Sequence, residues 1–147
     1  MSTHGYISIS APSASGITHQ SAHVGSDGYP SCILPLLADF FRHDDKNLAE
    51  LKLRYDSKYT HLPKHYRFEM ALDTVDFMTP DQDGAQYGYD YIITAERTLV
   101  CRKDGQIVDP MIYLDELLPE YVEQERKILT SAVNSLALSG ITIGYIL

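Results

Sequence analysis

The stretch Val24-Gly25-Ser26-Asp27-Gly28-Tyr29-Pro30-Ser31 separates a strand-like segment from an apolar helical segment, and the rest of the chain is arranged around it. Its two glycines can adopt positive φ angles, so the chain can reverse direction here at low cost. Pro30 suits the first position of a helix, and Ser31 is an alternative N-cap. The stretch therefore predicts a turn followed by a helix that begins near Pro30.

Two interpretations of this turn stay open. In the first, Tyr29 and Pro30 pack onto the core and Asp27 only caps the helix. In the second, the free amides at the helix N-terminus hold an anion, as such amides do in many proteins.

Hydrophobic periodicity predicts the elements on either side of the turn. Alternation of apolar and polar residues indicates strands, and apolar residues every three or four positions indicate helices. The predicted strands are residues 5–10, 17–24, 66–73, 87–94, 98–102, 107–108 and 141–147, and the predicted helices are residues 30–43, 46–55 and 119–140. This order predicts one α+β domain over residues 1–147, an antiparallel β-sheet with helices packed mainly on one face.

The charge of the chain is uneven. The formal net charge is −8; residues 1–65 carry six acids and six bases, whereas residues 66–147 carry fourteen acids and six bases. An acidic balance argues against binding DNA, RNA or an anionic membrane, which require clustered lysine and arginine. It is consistent with a basic protein partner and equally with a solvated acidic face.

Targeting and metal-binding signals are missing from the sequence. We find no leader segment and no apolar run of about 18–20 residues, so we expect a cytoplasmic protein acting in a host cell. The two cysteines, Cys32 and Cys101, are far apart and match no zinc-site spacing. We therefore expect neither a metal nor a cofactor.

The histidines give one candidate small-molecule site. All six lie within residues 4–65. His19 and His23 are four residues apart on a predicted strand, about 13 Å, which is too far to share one ion. Together with His4, Asp27 and Tyr29 they form a possible anion or nucleotide site.

One short motif also points to phosphate chemistry. The sequence His19-Gln20-Ser21 matches the His-x-Ser/Thr element that two-histidine phosphoesterases carry twice, but no second copy occurs here. Neither a Walker-type phosphate loop nor a nucleophile elbow is found. The sequence therefore indicates no reaction.

Tyrosine is abundant, with eleven copies in the chain. Tyr87, Tyr89 and Tyr91 alternate along one predicted strand and so share a face. With Tyr6 they could form an aromatic contact surface, because tyrosine suits interfaces. Alternatively, helices cover that face and the tyrosines surround the core.

Acidic residues precede and begin the last predicted helix. We expect them to contact a basic partner, with the tyrosine strand beside them, and the acidic side chains assigned to this contact are Asp115, Glu116, Glu120, Glu123 and Glu125.

Two segments resemble a group of small accessory proteins encoded by bacteriophages and prophages. These segments are Thr3-His4-Gly5-Tyr6-Ile7 and Asp27-Gly28-Tyr29-Pro30-Ser31, and a looser similarity covers Tyr89-Asp90-Tyr91 and Thr98-Leu99-Val100. The group is largely of unassigned function. The resemblance implies phage origin and an action on host machinery or host defence.

Three hypotheses follow. The first is a non-enzymatic phage accessory protein that binds and inhibits a host protein, such as an anti-CRISPR inhibitor of a defence system. The second is a protein that binds or cleaves a signalling nucleotide. The third is a structural protein that self-associates through its C-terminal strand, residues 141–147.

Overall fold

A computed structural model of the chain describes residues 4–14, 16–24, 28–44, 48–58, 70–72 and 88–144. These residues form seven strands, three α-helices and a 3₁₀ helix, which confirms the predicted α+β class. The strands are β1 (His4–Ser13), β2 (Gly16–Val24), β3 (Met70–Leu72), β4 (Gly88–Ile93), β5 (Thr98–Lys103), β6 (Gln106–Ile107) and β7 (Thr142–Gly144). The helices are α1 (Pro30–Arg42), α2 (Leu48–Lys58), the 3₁₀ helix (Pro110–Glu116) and α3 (Pro119–Leu138).

The strands form one sheet in the order β3-β2-β1-β4-β5, with β6 and β7 both paired to β5. Strands β1 and β2 form an antiparallel hairpin. However, β1 pairs with β4, and β5 with β7, in parallel, so the prediction of a wholly antiparallel sheet is wrong. Parallel neighbours need a long connection between them. Helix α3 lies within the connection from β5 to β7, and α1 and α2 lie between β2 and β4.

The helices pack on one face of the sheet. Ile7 and Ile9 of β1 point to this face, and they join a core made with α1, α3 and Leu51 of α2. Strand alternation places Tyr6 and Ser8 on the opposite face. The two faces of the sheet therefore have different compositions.

Helix α1 begins at Pro30, as the turn predicted. Its N-cap is Tyr29 in an extended conformation, not Ser31, because proline at the first helical position fixes the start one residue earlier. Almost the whole helix is apolar, and its buried residues join the core that it shares with the sheet and with α3: Pro30, Cys32, Ile33, Leu34, Leu36, Leu37, Ala38 and Phe40.

Arg97 joins the far ends of α1 and α3 to the sheet. Its guanidinium lies 5.4 Å from the ring centroid of Phe41 and donates to the Ser139 carbonyl at 2.6 Å. Its own carbonyl accepts the amide of Thr142, the first residue of β7. The turn between β4 and β5 thereby fixes both helix C-termini.

The 3₁₀ helix was missed by the sequence analysis. Asp109 accepts a hydrogen bond from the Met111 amide at 3.0 Å, and Pro110 occupies the first position. These are ordinary helix-start signals, but the run is too short to show apolar periodicity. Of the strand predicted over residues 66–73, only Met70–Leu72 lies among the described residues.

We predict that Gly5→Ala destabilises the fold by about 1–3 kcal/mol. A Cβ at this position would lie 2.4 Å from the Tyr89 carbonyl oxygen of the neighbouring strand, and backbone cannot move aside cheaply. Urea unfolding measures the loss. Gly144→Ala is the matched control, because its Cβ would meet the Thr98 methyl at 2.6 Å, and a side chain can rotate. Equal costs for the two substitutions would contradict this account.

Candidate functional site

The predicted tyrosine surface is not exposed. Tyr89 and Tyr91 are 1% and 0% exposed, because α1 and the 3₁₀ helix cover the face on which they lie. Tyr6 pairs in register with Asp90 and so lies on the opposite face, while Tyr87 lies outside the described residues. The expectation that Tyr89 and Tyr91 contact a partner is therefore wrong, and the alternative of core tyrosines is correct for them.

The buried tyrosines form a cluster with the turn and the 3₁₀ helix. The Tyr29 ring lies 5.2 Å from that of Tyr113 and 6.4 Å from that of Tyr89, and the Tyr89 and Tyr113 rings meet edge to face. Aromatic pairs at these separations contribute about 0.5–1.5 kcal/mol beyond their buried area. The cluster fixes the start of α1 to the sheet and to the 3₁₀ helix.

A hydrogen bond from a side chain of β4 also holds the turn. The Tyr91 hydroxyl donates to the Gly28 carbonyl at 2.5 Å, and both groups are buried. Burial raises the pKa of Tyr91 well above its usual range, and the neighbouring Cys101 raises it further. Tyr91 therefore remains a neutral donor.

The N-terminus of α1 does not offer a free set of amides. Pro30 has no N–H, and the amides of Cys32 and Ile33 both donate to the Tyr29 carbonyl, at 2.9 and 3.0 Å. Three of the first four helical positions are thus unavailable to an anion. The packing interpretation of the turn is supported for Tyr29 and Pro30; Asp27 lies outside the described residues.

Glu116 connects the tyrosine cluster to the protein surface. Its carboxylate accepts a short hydrogen bond from the Tyr89 hydroxyl and pairs with the Lys103 ammonium at 2.9 Å. Lys103 also lies 5.9 Å from the centroid of the Tyr89 ring. Burial, followed by the contact with Glu116, raises the pKa of Tyr89 far above its usual range. Glu116 therefore fixes the 3₁₀ helix to the sheet while remaining exposed, and its contact with a partner stays a prediction.

The acidic residues of α3 that are assigned to the partner contact do not share one face of the helix. Glu120 and Glu123 are exposed, and Glu123 pairs with Arg126 at 3.2 Å. Glu125 is only partly exposed, because it lies one turn from Val122 and Leu129 on the side of the helix that faces the core. Only some of these acidic side chains therefore point fully to solvent.

An exposed mixture of apolar and acidic side chains occurs where the 3₁₀ helix meets α3. Leu118 is 62% exposed and Tyr121 is 50% exposed, three positions apart and hence adjacent on the helix. Asp115 and Glu120 flank them and are exposed. Ile112, one turn before Asp115, is exposed as well. We call this set the acidic–apolar surface.

The opposite side of the sheet holds a second cluster, which the sequence analysis missed. We call it the polar sheet face; its buried polar members, each less than one-tenth exposed, are Ser8, Ser10, Ser21, Asp90 and Arg102. The buried apolar residues Ile92 and Val100 lie on the same face, in register with Ser8. Asp90 and Arg102 are directly paired across β4 and β5, with Nη2 and Oδ2 3.2 Å apart. The Ser8 and Ser21 hydroxyls are also 3.2 Å apart.

The predicted anion-site residues fall on two sides of the sheet. Register pairs His23 with Tyr6, His19 with Ser10 and His4 with Gly88, so alternation assigns all three positions to the polar sheet face. Tyr29 belongs to the tyrosine cluster on the helix side. The five-residue site expected from the sequence is therefore wrong for Tyr29.

Neither a membrane-spanning helix nor a metal site occurs among the described residues. None of the helices in these segments combines the length and apolar character that a bilayer crossing requires. No group of three or more His, Cys, Asp and Glu side chains in these segments is arranged to hold a metal ion. The C-terminal strand β7 pairs with β5 of its own chain, and self-association through it stays a prediction.

Comparison of the chain with models of known protein families, with curated protein sequences and with solved structures found no significant match.

We predict that stability falls as the pH rises above about 10, where tyrosine ionises in the unfolded chain but Tyr89 and Tyr91 stay protonated in the folded one. Tyr91→Phe should reduce the slope of the free energy of unfolding against pH by up to about 1.4 kcal/mol per pH unit. The reason is that the folded and unfolded states then differ by one bound proton fewer. Urea unfolding at several pH values measures the slope. A slope that Tyr91→Phe leaves unchanged would contradict the assignment.

Proposed function

We propose that this chain is a non-enzymatic bacteriophage accessory protein that binds a host protein and inhibits it, as anti-CRISPR inhibitors of defence systems do. The observation that carries the proposal is the acidic–apolar surface at the junction of the 3₁₀ helix and α3. The similarity of residues 3–7 and 27–31 to phage accessory proteins supports the biological setting.

Charge supports a basic partner. Residues 106–125 contain six acidic residues and no lysine, arginine or histidine. A field of one sign steers an oppositely charged partner and accelerates association. The complementary surface carries lysine or arginine around an apolar recess.

The apolar side chains supply the anchor. Interfaces derive most of their binding free energy from a few large side chains that become desolvated, and tyrosine is enriched among them. Tyr121 and Leu118 are the exposed large side chains at the centre of this surface. The 3₁₀ helix that carries part of this surface is held in place, because Glu116 joins it to Tyr89 and Lys103. A preformed surface loses little conformational freedom on binding.

We predict that Leu118→Ala combined with Tyr121→Ala weakens capture of the partner at least about 30-fold, since two anchors together contribute about 2 kcal/mol or more. Asp115→Lys with Glu120→Lys should slow association about tenfold and reduce its dependence on salt. The measurement is affinity purification from host lysate with mass spectrometry, followed by surface plasmon resonance on the identified partner.

A matched variant controls the experiment. Glu96→Lys reverses an exposed charge in the turn between β4 and β5, away from the proposed surface, and should leave binding unchanged. A partner that binds both surface variants like the wild type, at every salt concentration, would refute the proposed surface.

A further inference from the structure

The outward face of α3 changes the sign of its charge along the helix. Residues 106–125 contain six acidic residues and no basic one, whereas residues 126–140 contain two basic residues and no acidic one. Glu120, Lys127, Ser131 and Leu138 are seven, four and seven positions apart, so they share one face of the helix, and all four are exposed. This face is therefore complementary in charge to a copy of itself that runs in the opposite direction.

A groove lies between this face and α1. It consists of two adjoining depressions of about 570 Å³ and about 470 Å³, which share Lys127 and Ser131 as lining residues. Ile128 gives the groove an apolar side. Asp39 and Arg42 also line it, but they pair with each other at 2.8 Å and so largely balance their charges. The groove can therefore accept a large side chain that carries an acidic neighbour.

The chain itself presents such a side chain. Tyr121 is 50% exposed and directly follows Glu120. It is seven positions from Ile128, so both lie on the edge of α3 that borders α1. Large exposed side chains of this kind become anchors when a second surface removes them from water. Leu138, at 91% exposed, is a further apolar side chain on the same helix.

We propose that two copies of this chain associate through α3, with the two helices antiparallel and a twofold axis near Gln124. Glu120 of each copy then lies beside Lys127 of the other copy. Tyr121 of each copy enters the groove between α1 and α3 of the other. Because both copies contribute the same surface, the interface closes on itself and the assembly stops at a dimer.

The antiparallel direction follows from the charges. Parallel helices in register would oppose Glu120 to Glu120 and Lys127 to Lys127, whereas antiparallel helices oppose unlike charges and also unlike ends of the helix dipoles. Gln124 is exposed and meets its own symmetry mate, and an amide side chain can both donate and accept. Glu123 also lies near the axis, but Arg126 of its own chain pairs with it at 3.2 Å.

The dimer covers part of the acidic–apolar surface, namely Glu120 and Tyr121. A host protein and a second copy would therefore compete for these side chains, and dilution would free them for the host protein. The inference does not rest on the proposed function, because the purified chain alone is enough to test it.

Sedimentation velocity of the purified full chain, over a range of protein and salt concentrations, measures the association. We expect a dimer that dissociates on dilution and more readily at high salt. Tyr121→Ala, Glu120→Lys and Lys127→Glu should each weaken it at least about tenfold, because every contact occurs twice in a symmetric dimer. Glu96→Lys is the control: it reverses an exposed charge outside the interface and should leave the dimer unchanged.

A mixture of two variants tests the register. Glu120→Lys and Lys127→Glu are each expected to be mainly monomeric alone, because like charges then face each other at both contacts. An equimolar mixture of the two should form a heterodimer, because unlike charges again face each other at both contacts. This recovery would also show that both variants are folded.

The inference is overturned if the wild type stays monomeric at every concentration, or if the three single variants dimerise as tightly as the wild type. A mixture that does not associate would contradict the antiparallel register. Lys127 lies outside the acidic–apolar surface, so Lys127→Glu should still capture a host protein. Capture that persists without dimerisation separates the two proposals.

Discussion

The parallel pairing of β1 with β4 is the constraint on which the rest of the structure depends. It aligns Gly5 with Tyr89, and a side chain at position 5 would collide with the opposite carbonyl. Because side chains alternate along a strand, this register also decides which residues face the helices. Ile7 and Tyr91 point to the helices, and Ser8 points away from them. A shift by one residue would exchange the two sets and bury charged groups in the apolar core.

The two faces of the sheet therefore carry different chemical groups. On the helix side, tyrosine hydroxyls act as internal donors: Tyr91 holds the Gly28 carbonyl, and Tyr89 reaches Glu116. These bonds support the 3₁₀ helix that begins the acidic–apolar surface, so the part proposed to contact a partner rests on a rigid base. On the other side, Asp90 and Arg102 lie in a buried polar layer.

The sequence predicted the local features well. Alternation gave the faces of β1, and Pro30 gave the start of α1, because both depend on neighbouring residues. It did not predict that β1 and β4 run parallel, since that pairing joins distant segments. The burial of Tyr89 depends on the same pairing and on the helices above it. The position of Glu125 on the core-facing side of α3 depends on how that helix is rotated. Arg102 and its neighbours were visible as the polar members of alternating strands, but no local pattern indicates that such residues are buried.

The central claim is that the buried Asp90–Arg102 pair adds little net stability to the sheet, because the cost of removing its two charges from water offsets their attraction. Urea unfolding of the double variant Asp90→Leu/Arg102→Met, compared with both single variants, tests it most directly. Each single variant leaves one buried charge without its counterion and should lose about 3–5 kcal/mol, whereas the double variant should be at least as stable as the wild type. A double variant that is as unstable as the single ones would show that the pair holds the sheet together, and would contradict the account.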